Sequence, residues 1–202
     1  MRRLVWLGWA MMAQLALAQT AGVVVSQIYG GGGNAGATLK NDFVELFNRT
    51  DAVVAVDGWK FEYASATGEF TQSTALVGTI PANGYYLIGQ AAGAGGTLDL
   101  PTPDVTGAIA MSATAAKVRI VRADGSQVEL VNYSGLSNTT ASLRRDAGCG
   151  EGFANGAPSP RNSASPVKVC GAAPPPAREL TISQIQGAGL KSPYEGEYVT
   201  TR

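Results

Sequence analysis

Asp42-Phe43-Val44-Glu45-Leu46-Phe47-Asn48 is the stretch that decides the fold. Its pattern is that of a β-strand, because alternation places Val44 and Leu46 on one face and Phe43, Glu45 and Phe47 on the other. A run rich in β-branched residues, 23–29, comes before it and ends at four glycines. We therefore expect two strands joined by a glycine-rich loop.

Turn signals divide the rest of the chain into further short strands. Asn83-Gly84 lies between the apolar runs 76–80 and 85–88, and Asp124-Gly125 lies between 117–121 and 128–131. Both patterns predict β-hairpins, and Gly58 predicts a bend within a strand over 53–63. No 11-residue window after the N-terminal 18 residues has a helical period. These features predict an all-β sandwich or barrel.

The N-terminus has the pattern of a signal peptide over residues 1–18. A basic start is followed by an apolar run, 4–17, and by the small-x-small pattern Ala16-Leu17-Ala18. The run is too short to cross a bilayer. Cleavage after Ala18 removes Arg2 and Arg3 and leaves 13 basic and 15 acidic side chains, a net charge of −2. We expect a secreted, extracellular protein with no transmembrane segment after cleavage.

The composition excludes several classes of chemistry. The chain has no histidine and two cysteines, so it cannot form a Ser-His-Asp triad, a Cys-His pair, a His-ligated zinc site or a Cys₄ site. The negative net charge is unlike that of a basic domain that wraps duplex DNA. We expect no catalytic constellation, no cofactor and no metal centre of these kinds in this chain.

The two cysteines, Cys149 and Cys170, predict a disulfide in an exported protein. The bond would close a loop of about 22 residues and contribute roughly 3 kcal/mol. An intermolecular bond, free thiols and redox chemistry are the alternatives. A Pro-rich linker is expected over 167–178. Residues 179–202 then begin a second strand pattern that is too short to bury a core of its own.

Four polar residues near the glycine-rich loop are weak candidates for binding: Asn34, Asn41, Asp42 and Glu45. Residues 31–36 satisfy G-x-G-x-x-G, but a strand follows instead of the helix that a dinucleotide site needs. We expect a flexible surface loop, with binding of an extended partner as the alternative. The carboxylates could hold a structural Ca²⁺ or act as a glycosidase pair, or they could be solvated or cap turns. Their spacing of three on a strand points them to opposite faces and argues against a shared site.

Arg144, Arg145 and Arg161 form the one basic cluster that the sequence suggests. Such a cluster could contact a polyanion, and extracellular DNA or the cell envelope are the partners considered. Adjacent arginines on a strand face opposite ways, so solvated side chains are the alternative.

Three blocks of sequence resemble the lamin tail domain: residues 42–49, 56–61 and 80–87. The resemblance spans roughly 19–166 and implies an immunoglobulin-like β-sandwich. In bacterial members this domain often precedes an OB-like domain and an endonuclease/exonuclease/phosphatase catalytic domain, and residues 179–202 are similar to the start of the OB-like domain. The resemblance implies that Mg²⁺ belongs only to that missing catalytic domain, and that downstream nuclease domains are partners.

Two functions are consistent with these expectations. The first is a non-catalytic exported module, the N-terminal substrate-tethering or docking part of an extracellular nuclease. The second is a stand-alone interaction or adhesion module of the cell envelope with no nuclease attached. Hydrolysis through Asp42 and Glu45 is a third and weaker hypothesis.

Overall fold

Residues 42–48 lie in a strand of a computed structural model that describes residues 22–171, together with the backbone of 178–180 and 199–201. The predicted signal peptide lies outside the described residues. The described strands are β1 (Val23–Tyr29), β2 (Asn41–Asn48), β3 (Val54–Ala55), β4 (Lys60–Ser65), β5 (Gln72–Ala75), β6 (Thr79–Ile80), β7 (Tyr85–Ala92), β8 (Val105–Thr106), β9 (Ala116–Val121), β10 (Gln127–Tyr133), β11 (Ala141–Arg144), β12 (Phe153–Gly156), β13 (Arg178–Leu180) and β14 (Val199–Thr201). A 3₁₀ turn, η1, spans Arg145–Gly148.

Two main sheets form a β-sandwich. The first has six strands in the order β12-β11-β1-β2-β7-β8, and the second has four in the order β10-β9-β4-β5. Neighbours are antiparallel except for β7 and β8, which run parallel. The prediction of an all-β, immunoglobulin-like sandwich is therefore confirmed.

The main core fills the space between the two sheets. Val44 and Leu46 of β2 reach it from the six-stranded sheet, and Phe61 and Ile120 reach it from the four-stranded sheet. These four side chains are at most 1% exposed. Burial of such side chains stabilises a fold by about 1.5–3 kcal/mol each relative to exposure.

The outer face of the six-stranded sheet is also covered. Phe43 belongs to a second apolar cluster against which Leu100 packs, and Phe47 and Tyr85 belong to a third, against which Cys149 and Cys170 pack. Every residue of β2 from Asp42 to Asn48 is consequently buried, including the residues that alternation places away from the main core. We call residues 157–170, which lie on this outer face, the clasp segment.

One of the two predicted hairpins is confirmed and the other is wrong. β9 and β10 pair across Asp124-Gly125. The Asn83-Gly84 turn exists, with Asn83 at φ 53°, but the strands on either side of it belong to different sheets. β6 pairs with β3, while β7 pairs with β2 and β8. The same separation occurs at Gly58, at φ 78°, between β3 and β4, so these turns carry the chain from one sheet to another.

The glycine-rich loop is held in place by close backbone packing, contrary to the expectation of a flexible surface loop. A Cβ on Gly30 would lie 2.2 Å from the carbonyl oxygen of Ser112, and one on Gly32 would lie 1.9 Å from the carbonyl carbon of Asn41. Only glycine permits such approaches. The loop tip, 34–36, is exposed.

The chain divides into two compact units, and the first of them ends at Cys170. In the second unit, β13 and β14 form a parallel pair. Within the described residues, no helix has the length and apolar character needed to span a membrane.

Candidate functional site

Asp42 is a buried carboxylate that supports the glycine-rich loop. It is 4% exposed, and its two oxygens accept hydrogen bonds from the backbone N–H groups of Gly32 and Met111, each at 2.8 Å. Burial raises the pKa of Asp42 from 3.8 to about 6, and the two N–H donors oppose that rise. With both oxygens engaged by the backbone, this carboxylate connects two loops to β2.

Glu45 lies on the opposite face of β2 and is fully buried. Its oxygens accept from Ser26 Oγ at 2.5 Å and from Gln27 Nε2 at 3.0 Å. Arg161 supplies the remaining three donors: its backbone N at 2.7 Å, Nη2 at 2.8 Å and Nε at 3.2 Å. Five donors surround the carboxylate, so Glu45 is a hydrogen-bonded member of an ion pair and is not solvated.

Arg161 fastens the clasp segment to the six-stranded sheet. Besides binding Glu45, its Nη1 donates to Tyr85 Oη at 2.7 Å, and its Cζ lies 3.7 Å from the Tyr85 ring centroid. Nearby, the Gln27 side chain donates to the Ser159 carbonyl at 2.7 Å and accepts from the Ser159 N–H at 3.1 Å. These contacts position the clasp segment through side chains of β1, β2 and β7.

The predicted disulfide between Cys149 and Cys170 is present and closes the end of the clasp segment. The two Cα atoms are 5.3 Å apart, within the usual range for a disulfide. The adjoining chain is also anchored by the backbone N–H of Lys168, which donates to the Asn83 carbonyl at 2.8 Å.

The three arginines of the predicted basic cluster are not brought together. Arg144 is 5% exposed; its Nε donates to the Val25 carbonyl at 2.7 Å, and its Nη2 pairs with Glu129. Arg161 is engaged by Glu45 and Tyr85, whereas Arg145 is exposed at the start of η1. Two of the three arginines therefore lie in separate ion pairs, Arg144 with Glu129 and Arg161 with Glu45.

The two asparagine candidates have local structural roles. Asn41 Nδ2 donates to the Gln90 carbonyl at 3.0 Å, and exposed Asn34 donates to the Asn138 side chain at 3.1 Å. Neither binds Asp42 or Glu45 in the described part of the chain. Within that part, no group of three or more acidic or cysteine side chains is arranged to hold a metal ion.

The basic side chains on the outer face of the four-stranded sheet were not predicted from the sequence. Its outward side chains alternate with core residues along β4, β9 and β10; we call Lys60, Glu62, Lys117, Arg119, Leu130 and Asn132 the open face. The Phe70 ring lies beside it, with Arg119 Cζ at 4.2 Å and Lys117 Nζ at 5.3 Å from its centroid. The alternation of Lys117 and Arg119 with Val118 and Ile120 could have predicted that both cations lie on one exposed face of a strand.

Comparison with known families adds the decisive observation: the lamin tail domain matches residues 17–142, more than half of the chain. The chain belongs to the lamin tail domain family. Its β-sandwich is the immunoglobulin-like fold of that family, which is non-catalytic. No curated protein matches the sequence. In this lamin tail domain, β12 and the clasp segment lie beyond the matched residues.

Proposed function

We propose that this chain is a non-catalytic docking module that forms the N-terminal part of a secreted nuclease and holds that enzyme at its substrate. The proposal rests on the hydrogen bonds that occupy the oxygens of its two buried carboxylates. Asp42 is bound by two backbone N–H groups, and Glu45 is bound by five donors that include the Arg161 guanidinium. General acid–base chemistry needs a carboxyl group within reach of a substrate proton, which neither residue offers.

Support for a multidomain parent comes from the sequence after the sandwich. A Pro-rich stretch, 172–177, separates the lamin tail domain from a second strand pattern, and residues 179–202 resemble the start of an OB-like domain. A signal peptide at residues 1–18 would deliver such a protein outside the cell. The asymmetry of the sandwich also fits a docking role, since loops cover one sheet and leave the open face of the other available.

The first test is to read the coding sequence downstream of the Arg202 codon. We expect an open reading frame that continues through an OB-like domain into a catalytic domain bearing His, Asp, Asn and Glu. A stop codon directly after Arg202 would contradict the proposal and favour the stand-alone envelope module.

The second test compares the full-length enzyme with a version that lacks residues 19–178. On a short soluble oligonucleotide we expect the two to have the same kcat, because the module contributes no reacting group. On long immobilised DNA we expect the shortened enzyme to have a higher KM. A loss of kcat on the short substrate would show that the module participates in the chemistry and would refute the proposal.

A further inference from the structure

Cations on the six-stranded sheet and its loops are largely neutralised by carboxylates. Lys40 pairs with Asp99, Arg49 with Glu151, and Lys168 with Asp146. The buried Arg144 and the partly exposed Arg161 are paired as well. These side chains hold loops in place and leave little free positive charge on that side of the sandwich.

The open face differs in its charge balance. Within residues 22–171, four basic side chains lack a carboxylate within salt-bridge distance: Lys60, Lys117, Arg122 and Arg145. Lys60 and Lys117 belong to the open face, and Arg122 follows β9 at the end of the same sheet. The open face itself carries three cations and one carboxylate, Glu62, whose Oε2 is bound by Arg119 Nε at 2.5 Å. The open face, with three cations and one carboxylate, therefore has a net charge of +2 in a chain whose formal net charge is zero.

The open face also carries planar and apolar groups that remain accessible. Arg119 Cζ lies over the half-buried Phe70 ring, 4.2 Å from its centroid, beside Leu130, which is 43% exposed. Glu69, next to Phe70, is an exposed carboxylate at the edge of this surface. Stacked aromatic and guanidinium planes can accept a nucleobase, and neighbouring lysines can neutralise its phosphates.

We propose that the open face binds single-stranded nucleic acid, with Lys60 and Lys117 at phosphates and a base on the Phe70–Arg119 pair. Because Lys117 pairs with Ala64, four residues from Lys60, the two lysines are about 13 Å apart along the strands. That separation lets both lysines contact phosphates of the same single strand. The proposal deepens the docking function above, on which it rests, by assigning its surface and ligand class.

Single-stranded nucleic acid is favoured over two other polyanions by the chemistry of this surface. An acidic polysaccharide has no base to stack on Phe70 and Arg119. Duplex DNA keeps its bases stacked inside the helix and demands more phosphate contacts than three cations on one face provide. Both polymers are therefore comparison ligands in the test.

The test is a fluorescence-anisotropy titration of the full chain with a labelled 15-nucleotide oligo-dT, its duplex and an anionic polysaccharide. The two lysine–phosphate contacts give a salt slope of about −1.4, so affinity for oligo-dT should fall about 7-fold between 50 and 200 mM salt. The double variant Lys60→Gln/Lys117→Gln should bind more weakly, and because it lacks both phosphate-contacting lysines its affinity should barely change over the same salt range. Phe70→Leu should weaken oligo-dT binding about 5- to 150-fold and leave polysaccharide binding unchanged.

The matched control is Lys40→Gln/Lys168→Gln, which removes two lysines elsewhere on the surface. It should bind oligo-dT like the wild type, and circular dichroism with thermal unfolding should show that every variant is folded. The proposal is overturned if the wild type fails to bind oligo-dT at low salt, or if the control loses as much affinity as the open-face variant. Equal or tighter binding of the duplex or of the polysaccharide would also overturn it. A nuclease reading frame downstream of Arg202 would leave the docking function standing in each of these cases.

Discussion

Arg161→Ala removes the cation that neutralises a fully buried carboxylate. Of the five donors to Glu45, the substitution deletes Nε and Nη2 and keeps the backbone N of residue 161 together with Ser26 and Gln27. Removing one partner of a buried ion pair typically costs about 3–5 kcal/mol. The Arg161 side chain is 25% exposed, so water reaches part of the site and the lower value, about 3 kcal/mol, applies.

Thermal unfolding of the full chain with the disulfide intact measures this effect. For a domain of about 150 residues, each kcal/mol shifts Tm by about 2–4 °C, so Arg161→Ala should lower Tm by about 6–12 °C. Arg145→Ala is the control, because it removes an exposed arginine that has no ion pair in the described part of the chain; it should change stability by less than about 0.5 kcal/mol. A drop of under about 2 °C for Arg161→Ala, or an equal drop for both variants, would refute the reasoning.

A double-mutant cycle separates the unpaired charge from lost packing. Glu45→Gln removes the buried charge but keeps the side-chain volume. If the unpaired carboxylate causes the destabilisation, the combined Glu45→Gln/Arg161→Ala variant should be more stable than the sum of the two single changes predicts, by about 0.5–3 kcal/mol. Additive effects would assign the loss to the Arg161 contact with Tyr85 instead.

Three further predictions concern the disulfide, the buried aspartate and the glycine-rich loop. Replacing Cys149 and Cys170 by serine should cost about 3 kcal/mol, read as a lower urea midpoint; an unchanged midpoint would show that the other clasp-segment contacts suffice. The pKa of Asp42 is raised from 3.8 to about 6, so the folded state binds the proton of this carboxyl group more tightly than the unfolded state does. Its contribution to stability is therefore complete below about pH 4 and is lost as pH rises through 6, by up to roughly 3 kcal/mol. Urea unfolding from pH 4 to 7 should show a shallower loss of stability for Asp42→Asn than for the wild type; parallel pH curves would contradict the assignment. Gly32→Ala should destabilise the folded domain by at least about 1–3 kcal/mol, because the added Cβ would overlap the Asn41 backbone. Asn34→Ala, at the exposed tip of the loop, should be nearly neutral in the same assay. Equal losses for the two variants would argue against close packing of the loop.

Sequence reasoning succeeded where neighbouring residues determine the structure. The alternation in residues 42–48 predicted the faces of β2, and the β-branched run 23–29 predicted β1. The hairpin at Asp124-Gly125 is likewise local. The hairpin predicted at Asn83-Gly84 failed because a turn residue determines only the local backbone, whereas β7 pairs with β2, a strand far away in sequence.

The candidate site was predicted less well than the fold. Arg144 and Arg161 were grouped because of their charge, but their partners are the distant residues Val25 and Glu45. The separations are 119 and 116 residues, and no local pattern encodes such contacts. The open face was missed for a related reason, because its cations come from two separate strands, β4 and β9, that only the sheet brings side by side.

The sequence by itself determined the strand periodicity, the cysteine pair and the absence of histidine chemistry. These depend on residue type and spacing, and a period of two is enough to assign each side chain to one of two faces. Only the tertiary structure decided which faces are buried. The clasp segment covers the outer face of β2, and its Arg161 forms an ion pair with the buried Glu45. The outward face of β4 and β9 has no such covering segment in the described part of the chain. Burial depends on which distant segment packs against a strand, and that is a property of the assembled sandwich.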